Sequence, residues 1–352
     1  PERAHDQAIR WSEIAQHLPG LIGLSSHLHR VIDSRLKTEV AGITFDNPIG
    51  LAAGYDKSGR AIQLMSSLGF GHVEIGSVSA TPSAGNAKPR LWRLPSDRAT
   101  CVHYGLPNEG ADAIAKRLTR TRSKVPLGIN LVNTNFGPGT APTSADDVLD
   151  DYAFSAATLK DYASYLMLNL SGPNTADGRN FFDHSDHLPR LLEKLQTMSM
   201  NLPVFLKISP DGNDATIEHL LTAVDRFEFV KGFMFNLSPR RREGLETPPE
   251  VWKDWPGAIS GRPTREWMDQ CVADLYRRMD RNRYWIIAAG GVSDAEDAYR
   301  KIRCGASLVQ LLTALIYQGP GVVRRINREL IKLVERDGFA SVSEAVGTDV
   351  TD

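Results

Sequence analysis

The chain has 352 residues, of which 41% are hydrophobic and 24% charged. This length exceeds that of a small module and suits one (β/α)8 barrel with an extra N-terminal piece and a large apolar core. The 41 basic and 42 acidic residues leave a formal net charge of -1, so no overall field attracts nucleic acid or an anionic membrane.

The first forty residues carry apolar side chains at helical spacing. Ile9, Trp11, Ile14, Leu18 and Leu21 are examples, and they predict one or two short helices with an apolar face. The segment fits a helical cap on the bottom or side of a barrel and an interfacial membrane anchor equally well. We assign residues 1–40 to this N-terminal helical extension, 41–340 to a barrel and 341–352 to a C-terminal tail.

Beyond the extension, short apolar runs alternate with amphipathic segments. The runs predict buried strands near 49–53, 73–78, 127–131, 165–170, 204–208, 232–235, 285–289 and 308–312. The segments between most of them predict helices, for example at 111–118, 187–198, 215–227 and 265–279. Eight such units close a (β/α)8 TIM barrel, which the strand count favours over helical repeats or a doubly wound sheet.

Polar residues and glycines follow the predicted strands at the edge where barrel enzymes place their chemistry. A ring of them at one edge is hard to explain by stability alone, so we expect the active site there. The members in chain order are Gly54 to Lys57, Ser77, Asn130, Asn169, Lys207 with Ser209, Asn236, Gly290–Gly291 and Thr313.

A phosphate site is predicted at the last two strands. Gly290 and Gly291 follow the seventh strand and Thr313 the eighth, where barrels commonly bind phosphate, and glycines let backbone N–H groups approach an anion. Ser260–Gly261 in the preceding loop strengthens the pattern, although two tight turns would also explain it. No G-x-G-x-x-G follows an early strand, which argues against a Rossmann dinucleotide site.

Lys57 and Lys207 are candidate partners of an anion. Lys207 lies inside an apolar strand, where an unpaired ammonium is costly, and a bound anion would compensate it. A reduced flavin carries such a charge, and the surrounding asparagines suit a heterocycle. Schiff-base chemistry is the alternative role of a barrel lysine.

Several segments together resemble the dihydroorotate dehydrogenase family over nearly the whole chain. The segment Asn-Leu-Ser-Gly-Pro-Asn-Thr at 169–175 is similar to the family's catalytic loop, in which the residue before Pro-Asn is the base, Ser in the quinone-using class and Cys in the soluble class. Further matches lie at 47–57, 74–77, 88–95, 127–130, 259–263, 305–310, 316–317 and 319–320.

The resemblance implies FMN as the cofactor, rather than FAD or NAD. The implied cofactor residues are Ala53, Gly54, Lys57, Ser77, Asn130, Asn169, Lys207, Asn236, Ser260, Gly261, Gly290, Gly291, Leu311 and Thr313. Lys57, Asn169 and Asn174 would also face the substrate. The N-terminal sequence Pro-Glu-Arg-Ala-His resembles the quinone-linked class, which implies that His5 and Arg93 line a quinone tunnel.

At its substrate positions the chain departs from the family pattern. Gly172 occupies the place of the base, and Val102 aligns with an asparagine that binds orotate. After the sixth strand the family has Thr-Asn-Thr and this chain has Asn-Leu-Ser, so an asparagine is replaced by Leu237, before Ser238, or is shifted by one position. Leu106 and Leu312 stand where the family has aromatic residues. With the cofactor set retained, these changes predict a substrate other than dihydroorotate.

A replacement base can be sought among four nearby residues. Asp177 and His184 lie in the loop that closes over the site in the family, and Cys101 and Tyr104 lie near Val102. Solvated loop groups are the simpler explanation of the first two.

The sequence thus supports three functions, in this order. The first is an FMN-dependent oxidoreductase that oxidises or reduces a C–C bond of another small substrate. The second is oxidation of dihydroorotate to orotate with a quinone acceptor and a displaced base. The third is a catalytically weak flavoprotein with a binding or regulatory role.

Location and metal content follow from simpler features. Cys101, Cys271 and Cys304 form neither a CxxC pair nor a metal-ligand spacing, so we expect no metal and a reducing compartment. No run of eighteen apolar residues occurs, so no segment should span a bilayer. We expect a cytoplasmic protein that can associate peripherally with a membrane. The chain begins at Pro1 rather than Met, which leaves open whether further residues, such as a targeting or anchoring segment, precede it.

Overall fold

The computed structural model describes residues 1–137, 144–172, 181–184 and 186–351. The strands are β1 (Thr38–Val40), β2 (Ile43–Phe45), β3 (Ile49–Leu51), β4 (His72–Val78), β5 (Leu91–Leu94), β6 (Ala99–Val102), β7 (Leu127–Leu131), β8 (Tyr165–Asn169), β9 (Val204–Ile208), β10 (Val230–Phe235), β11 (Ala258–Gly261), β12 (Trp285–Ala288) and β13 (Leu308–Leu311). The helices are α1 (Glu2–Ala15), α2 (Leu21–His29), α3 (Ile62–Ser67), α4 (Ala111–Leu118), α5 (Ala145–Leu159), α6 (His187–Gln196), α7 (Asp214–Val224), α8 (Pro249–Trp252), α9 (Arg265–Arg278), α10 (Ala295–Arg303), α11 (Thr313–Gln318) and α12 (Val322–Arg336).

The parallel strands close into a barrel in the order β10-β12-β13-β3-β4-β7-β8-β9. The predicted TIM barrel is therefore confirmed, and the helical-repeat and doubly wound alternatives are wrong. Each barrel strand coincides with one of the apolar runs, because a strand buried on both faces must be apolar nearly throughout. The helices pack their apolar faces on the outside of the barrel in one large hydrophobic core.

Glycines leave room for large side chains inside the lower barrel. A Cβ atom at Gly50 would lie 2.0 Å from Nε2 of His72, and one at Gly128 would lie 2.3 Å from Cζ of Tyr165. Both rings are fully buried, and Phe45 of β2 packs edge-on against His72 with ring centroids 5.4 Å apart. The β1–β2 hairpin thus closes the bottom of the barrel.

A second sheet stands at the opposite end of the barrel and was not predicted. It is antiparallel, in the order β11-β6-β5. Side chains alternate across β6, so Thr100 and Val102 face a cavity, whereas Ala99 and Cys101 pack into a small apolar cluster with Leu94 and Ile259. This alternation decides which of the β6 residues can reach a ligand.

The N-terminal helices lie over the upper mouth and along one side of the barrel, so of the two places expected for a helical cap, the bottom or the side, the structure has the side. Helix α2 packs on α3, where Oγ of Ser67 donates to Oγ of Ser25 at 2.7 Å. Several large apolar side chains of this region point to solvent: Trp11, Ile14, Leu18, Leu24, Leu28 and Ile32, between 46% and 83% exposed. No helix in the described ranges is long and apolar enough to cross a membrane.

Candidate active site

A cavity of about 400 Å³ opens at the carboxyl ends of the barrel strands. We call it the central cavity. Its volume falls in the range of roughly 300–1,000 Å³ that is usual for small-molecule sites. Of the cofactor residues expected from sequence, these line it: Ala53, Gly54, Lys57, Ser77, Asn169, Lys207, Asn236, Ser260, Gly261, Gly290, Gly291, Leu311 and Thr313. Residues from distant parts of the chain therefore meet at the predicted edge.

Lys207 places a cation inside the barrel wall. Its side chain projects from β9 into the central cavity, and its ammonium has no hydrogen-bond or salt-bridge partner among the described residues. Burial lowers the pKa of Lys207, and the negative charge of Glu74 opposes that shift. An ammonium in this setting favours an anionic ligand, because an uncompensated buried charge is costly.

Amides and a hydroxyl form a continuous row beside this lysine. The Asn236 amide donates to Oδ1 of Asn169 at 3.0 Å, and the Asn169 amide donates to Oγ of Ser77 at 3.3 Å. Oγ of Ser77 donates in turn to Oδ1 of Asn130 at 2.5 Å. Asn130 itself is fully buried behind Ser77 and does not line the cavity, so its expected direct contact with a cofactor is not what the structure has.

Glycines and hydroxyls lie together at another part of the cavity. Gly290 and Gly291 have φ values of +93° and +76°, a region that side-chain-bearing residues rarely adopt, and a Cβ at Gly291 would lie 2.5 Å from Cα of Arg265. Oγ of Ser260 lies 2.8 Å from Oγ1 of Thr313. This combination of close backbone and hydroxyl donors suits a phosphate group.

These features together fit FMN. The Lys207 ammonium, without a partner in the part of the chain that the structure describes, and the row of amides suit a heterocycle that gains negative charge. The glycine and hydroxyl cluster suits its phosphate. Most of these residues lie at the carboxyl ends of the barrel strands or in the loops that follow them, where enzymes of this fold hold their active sites.

Lys57 and His5 join the N-terminal helix to the cavity. Nζ of Lys57 lies 3.1 Å from Nε2 of His5, and the His5 ring stands edge-on to Tyr55 with centroids 5.2 Å apart. Burial and the charge of Lys57 lower the pKa of His5 to about 3, so the imidazole is neutral and accepts the bond. Burial lowers the pKa of Lys57 to about 8, against the opposing charges of Asp6, Asp56 and Glu2.

The two residues expected to line a quinone tunnel border the same cavity. His5 is on α1 and Arg93 is an exposed residue of β5. Pro1, Ala4 and Ala8 of the N-terminal segment form an apolar part of the wall between cavity and solvent. The mouth is thus built from the extension and the second sheet, not from barrel loops alone.

Two of the candidate bases lie away from the cavity. Cys101 is fully buried on the opposite face of β6, its thiol donates to the Pro256 carbonyl at 3.2 Å, and burial raises its pKa to about 11. His184 is exposed and packs against His187 with ring centroids 4.9 Å apart. Neither side chain can take a proton from a ligand in the central cavity as the structure stands.

The expected substrate residue Ser238 is also misplaced. It is buried, and its hydroxyl donates to the Asp211 carboxylate at 2.6 Å, away from the cavity lining. Asn236 instead keeps an amide at this strand end, as the alternative of a one-residue shift proposes. Val102 and Leu237 do line the cavity, with hydrocarbon side chains.

The loop after β8 is only partly described. Gly172 is buried at its start. Asn174 and Asp177 lie outside the described residues.

Several lining residues were not singled out from the sequence, among them Arg98 and Thr100. Thr100 lies 3.0 Å from Oγ of Ser260, and Tyr55 supports His5. The alternation of β6 would have placed Thr100 opposite Cys101, had the strand been recognised.

Comparison with known proteins identifies a family. The family model "Dihydroorotate dehydrogenase" matches residues 35–334. A protein of Natronomonas pharaonis named dihydroorotate dehydrogenase (quinone) is 40% identical over 91% of this chain and 87% of its own length. A protein of the same name from Halobacterium salinarum is 37% identical over 99% of this chain and 96% of its own.

Solved structures agree with this match. The structure of DHODH from Eimeria tenella in complex with ferulenol superposes with a TM-score of 0.85, at 29% identity, over 99% of this chain and 95% of that chain. The shared architecture therefore extends through the N-terminal helices as well as the barrel.

Proposed function

The chain belongs to the dihydroorotate dehydrogenase family, and from this premise we propose that it binds FMN and oxidises dihydroorotate to orotate with a quinone as electron acceptor. The expectation that ranked another substrate first finds no support in the relatives, which carry the name dihydroorotate dehydrogenase (quinone). The observation that carries the proposal is Lys207, an ammonium inside the barrel wall without a partner among the described residues.

FMN bound in the central cavity would supply the acceptor of a hydride. Lys207 would stabilise the negative charge of the reduced heterocycle, with Ser77, Asn169 and Asn236 hydrogen-bonded along its edge. The backbone at Gly261, Gly290 and Gly291, with Ser260 and Thr313, would hold its phosphate. These assignments are supported by the shared lining of one cavity.

The substrate side rests on Lys57 and Asn169. The ammonium of Lys57 would bind the substrate carboxylate, and the Asn169 amide would orient the ring. Gly172 provides no side chain for proton removal. Cys101 and His184 lie elsewhere, and burial raises the pKa of Tyr104, which makes it a poor base at neutral pH. The remaining candidate, Asp177, lies outside the described residues, so proton removal would proceed without a positioned base at residue 172 and would be slow.

The electron acceptor would enter at the mouth formed by α1 and β5. His5 and Arg93 border that mouth, and the exposed apolar side chains of α1 and α2 would rest on the membrane in which a quinone dissolves. This arrangement supports a peripheral membrane association of the N-terminal helices.

The proposal is tested on the purified protein in three steps. Released flavin should be identified as FMN by chromatography. Dihydroorotate added without oxygen should bleach the flavin absorbance and yield orotate, and a soluble quinone should restore the absorbance. Absence of flavin, or flavin that quinone reoxidises but dihydroorotate never bleaches, would contradict it.

A second function, oxidation of a related but different substrate, is favoured by one observation. Val102 and Leu237 present hydrocarbon to the cavity, and Gly172 lacks the hydroxyl of the quinone-using class. A site that has lost hydrogen-bonding groups discriminates against a polar substrate. Flavin bleaching by another cyclic amide or amino-acid-like compound, faster than by dihydroorotate, would establish this alternative.

A further inference from the structure

Glu74 is a fully buried carboxylate inside the barrel. It belongs to β4 and does not line the central cavity. Its Oε1 accepts from the Asn130 amide at 2.9 Å, and its Oε2 accepts from the Tyr165 hydroxyl and the Gln310 amide, both at 2.9 Å. The carboxylate therefore accepts three hydrogen bonds and donates none.

An acceptor at this place determines how Asn130 is turned. Both oxygens of Glu74 act as acceptors, so Asn130 presents its NH2 group to Glu74 and its oxygen to the other side. That oxygen receives the single proton of the Ser77 hydroxyl at 2.5 Å. Ser77 then has only lone pairs left for Asn169.

The same constraint passes through the next two residues. The Asn169 amide donates to Ser77 at 3.3 Å, which leaves Oδ1 of Asn169 to accept from the Asn236 amide at 3.0 Å. Oδ1 of Asn236 finally accepts from the backbone N–H of Leu237 at 2.9 Å. The chain of hydrogen bonds thus runs in one direction, from a donor-only N–H to an acceptor-only carboxylate.

We propose that Glu74 is a positioning residue, which fixes the direction of this hydrogen-bond chain and thereby the pattern of donors and acceptors that Ser77, Asn169 and Asn236 present to the flavin. The inference rests on the proposed FMN binding. A flavin ring carries both hydrogen-bond donors and acceptors on its edge. An amide with reversed orientation would place donor against donor or acceptor against acceptor and leave those groups without a hydrogen bond.

The substitution Glu74→Gln is expected to reverse the donor-to-acceptor direction of these hydrogen bonds. The two donors Tyr165 and Gln310 would hold the amide oxygen of the new side chain, so its NH2 group would face Asn130 and turn that residue round. The affinity of the cofactor-free protein for FMN, measured by quenching of flavin fluorescence, should fall roughly tenfold or more. The absorption band of the bound flavin should also shift.

Tyr165→Phe is the matched control. It removes one hydrogen bond from the same carboxylate but leaves Oε1 facing Asn130 unchanged. FMN affinity should stay within about twofold of the unmodified protein, because the chain beyond Asn130 is intact. If Glu74→Gln and Tyr165→Phe lose FMN affinity equally, the loss reflects the integrity of the barrel and not the direction of the hydrogen bonds, and the proposal is overturned.

A double-mutant cycle separates this role from a direct effect of the Glu74 charge on Lys207. Asn130→Ala interrupts the series of hydrogen bonds, so adding Glu74→Gln to this variant should change FMN affinity less than about twofold. Additive losses would overturn the proposal. Circular dichroism of each cofactor-free variant reports its folding. If Glu74→Gln does not fold, Asn130→Ala alone must lower the affinity, and unchanged binding would reject the idea.

The unmodified protein distinguishes the two levels of inference. If it binds no FMN, the proposed function fails. If it binds FMN and the two variants bind equally well, only the role of Glu74 fails.

Discussion

The neutral imidazole of His5 accepts a hydrogen bond from the ammonium of Lys57, with 3.1 Å between Nε2 and Nζ. One residue belongs to the N-terminal helix and the other to the loop after the first barrel strand. The bond therefore attaches the helix directly to a group that we assign to substrate binding. The same helix forms part of the wall of the cavity mouth, and it belongs to the N-terminal region whose large apolar side chains are exposed.

The first prediction concerns His5. His5→Ala should slow reoxidation of the flavin by quinone roughly tenfold, because the mouth loses a wall residue and its hydrogen bond. Flavin reduction by saturating dihydroorotate should change less than about twofold, because Lys57 keeps its ammonium. Stopped-flow absorbance measures the two half-reactions separately. His27→Ala, on the exposed side of α2, is the control and should alter neither. Equal loss in both half-reactions would contradict the assignment.

A pH dependence follows from Lys57. Its pKa is lowered to about 8, so the ammonium is present below that pH and is lost as the pH rises through it. An anionic substrate binds the charged form, and KM for dihydroorotate should therefore rise about tenfold per pH unit above pH 8. Lys57→Arg keeps its charge throughout and should remove this rise. A KM that is independent of pH in the unmodified enzyme would argue against the role.

Lys207 should govern cofactor affinity. Lys207→Ala removes the one positive charge that β9 contributes to the cavity, and FMN affinity should fall roughly 10- to 100-fold. Lys231→Ala, on the neighbouring strand β10 but outside the cavity lining, is the matched control and should retain full occupancy. Flavin content after gel filtration decides between them.

The N-terminal helices should carry any membrane binding. Replacing Trp11, Leu24 and Leu28 by Gln removes large apolar side chains that are 68%, 56% and 47% exposed, and flotation with liposomes should drop several-fold. Phe154 and Val251 are apolar residues of similar exposure, 46% and 50%, outside this region. Replacing those two by Gln should leave flotation unchanged. Equal flotation of all three proteins would reject the anchor.

Gly172 offers a test by gain of function. Gly172→Ser supplies the hydroxyl of the quinone-using class, and a positioned base typically contributes roughly 10²–10⁴ in rate. Flavin reduction by dihydroorotate should speed up at least about tenfold, although not fully, because Val102 still lacks an amide. Gly172→Ala adds bulk without a base and should give no gain. No difference between Ser and Ala would mean that the base acts from elsewhere.

The barrel could be predicted from sequence because its strands are buried on both faces. Such strands are continuous apolar runs, and β7 (Leu127–Leu131) and β9 (Val204–Ile208) coincide with the predicted ranges. The second sheet could not be predicted in this way. Strand β6 pairs with β11, about 160 residues later in the chain, and its four residues carry no long pattern. Only that pairing shows that Cys101 faces away from the cavity.

The site was predictable where a residue type is unusual for its place. Lys207 in an apolar strand is such a residue, and it lies in the cavity as expected. Ser238 and Asn130 were not predictable, because a small polar side chain at a strand end can bond to the protein or to a ligand. Asp211 holds the first and Glu74 the second, and neither contact follows from spacing along the chain.

The ammonium of Lys207, which has no partner among the described residues, has a consequence for the stability of the protein in the cell. Without a bound anion this charge is offset only in part, by Glu74, so a cofactor-free chain would have a smaller free energy of unfolding than one that holds FMN. A larger fraction of the free form is then open to proteases. Because riboflavin is the precursor of FMN, we expect the abundance of this protein to follow the supply of riboflavin. Riboflavin starvation should lower the amount of the protein through degradation, as well as its activity.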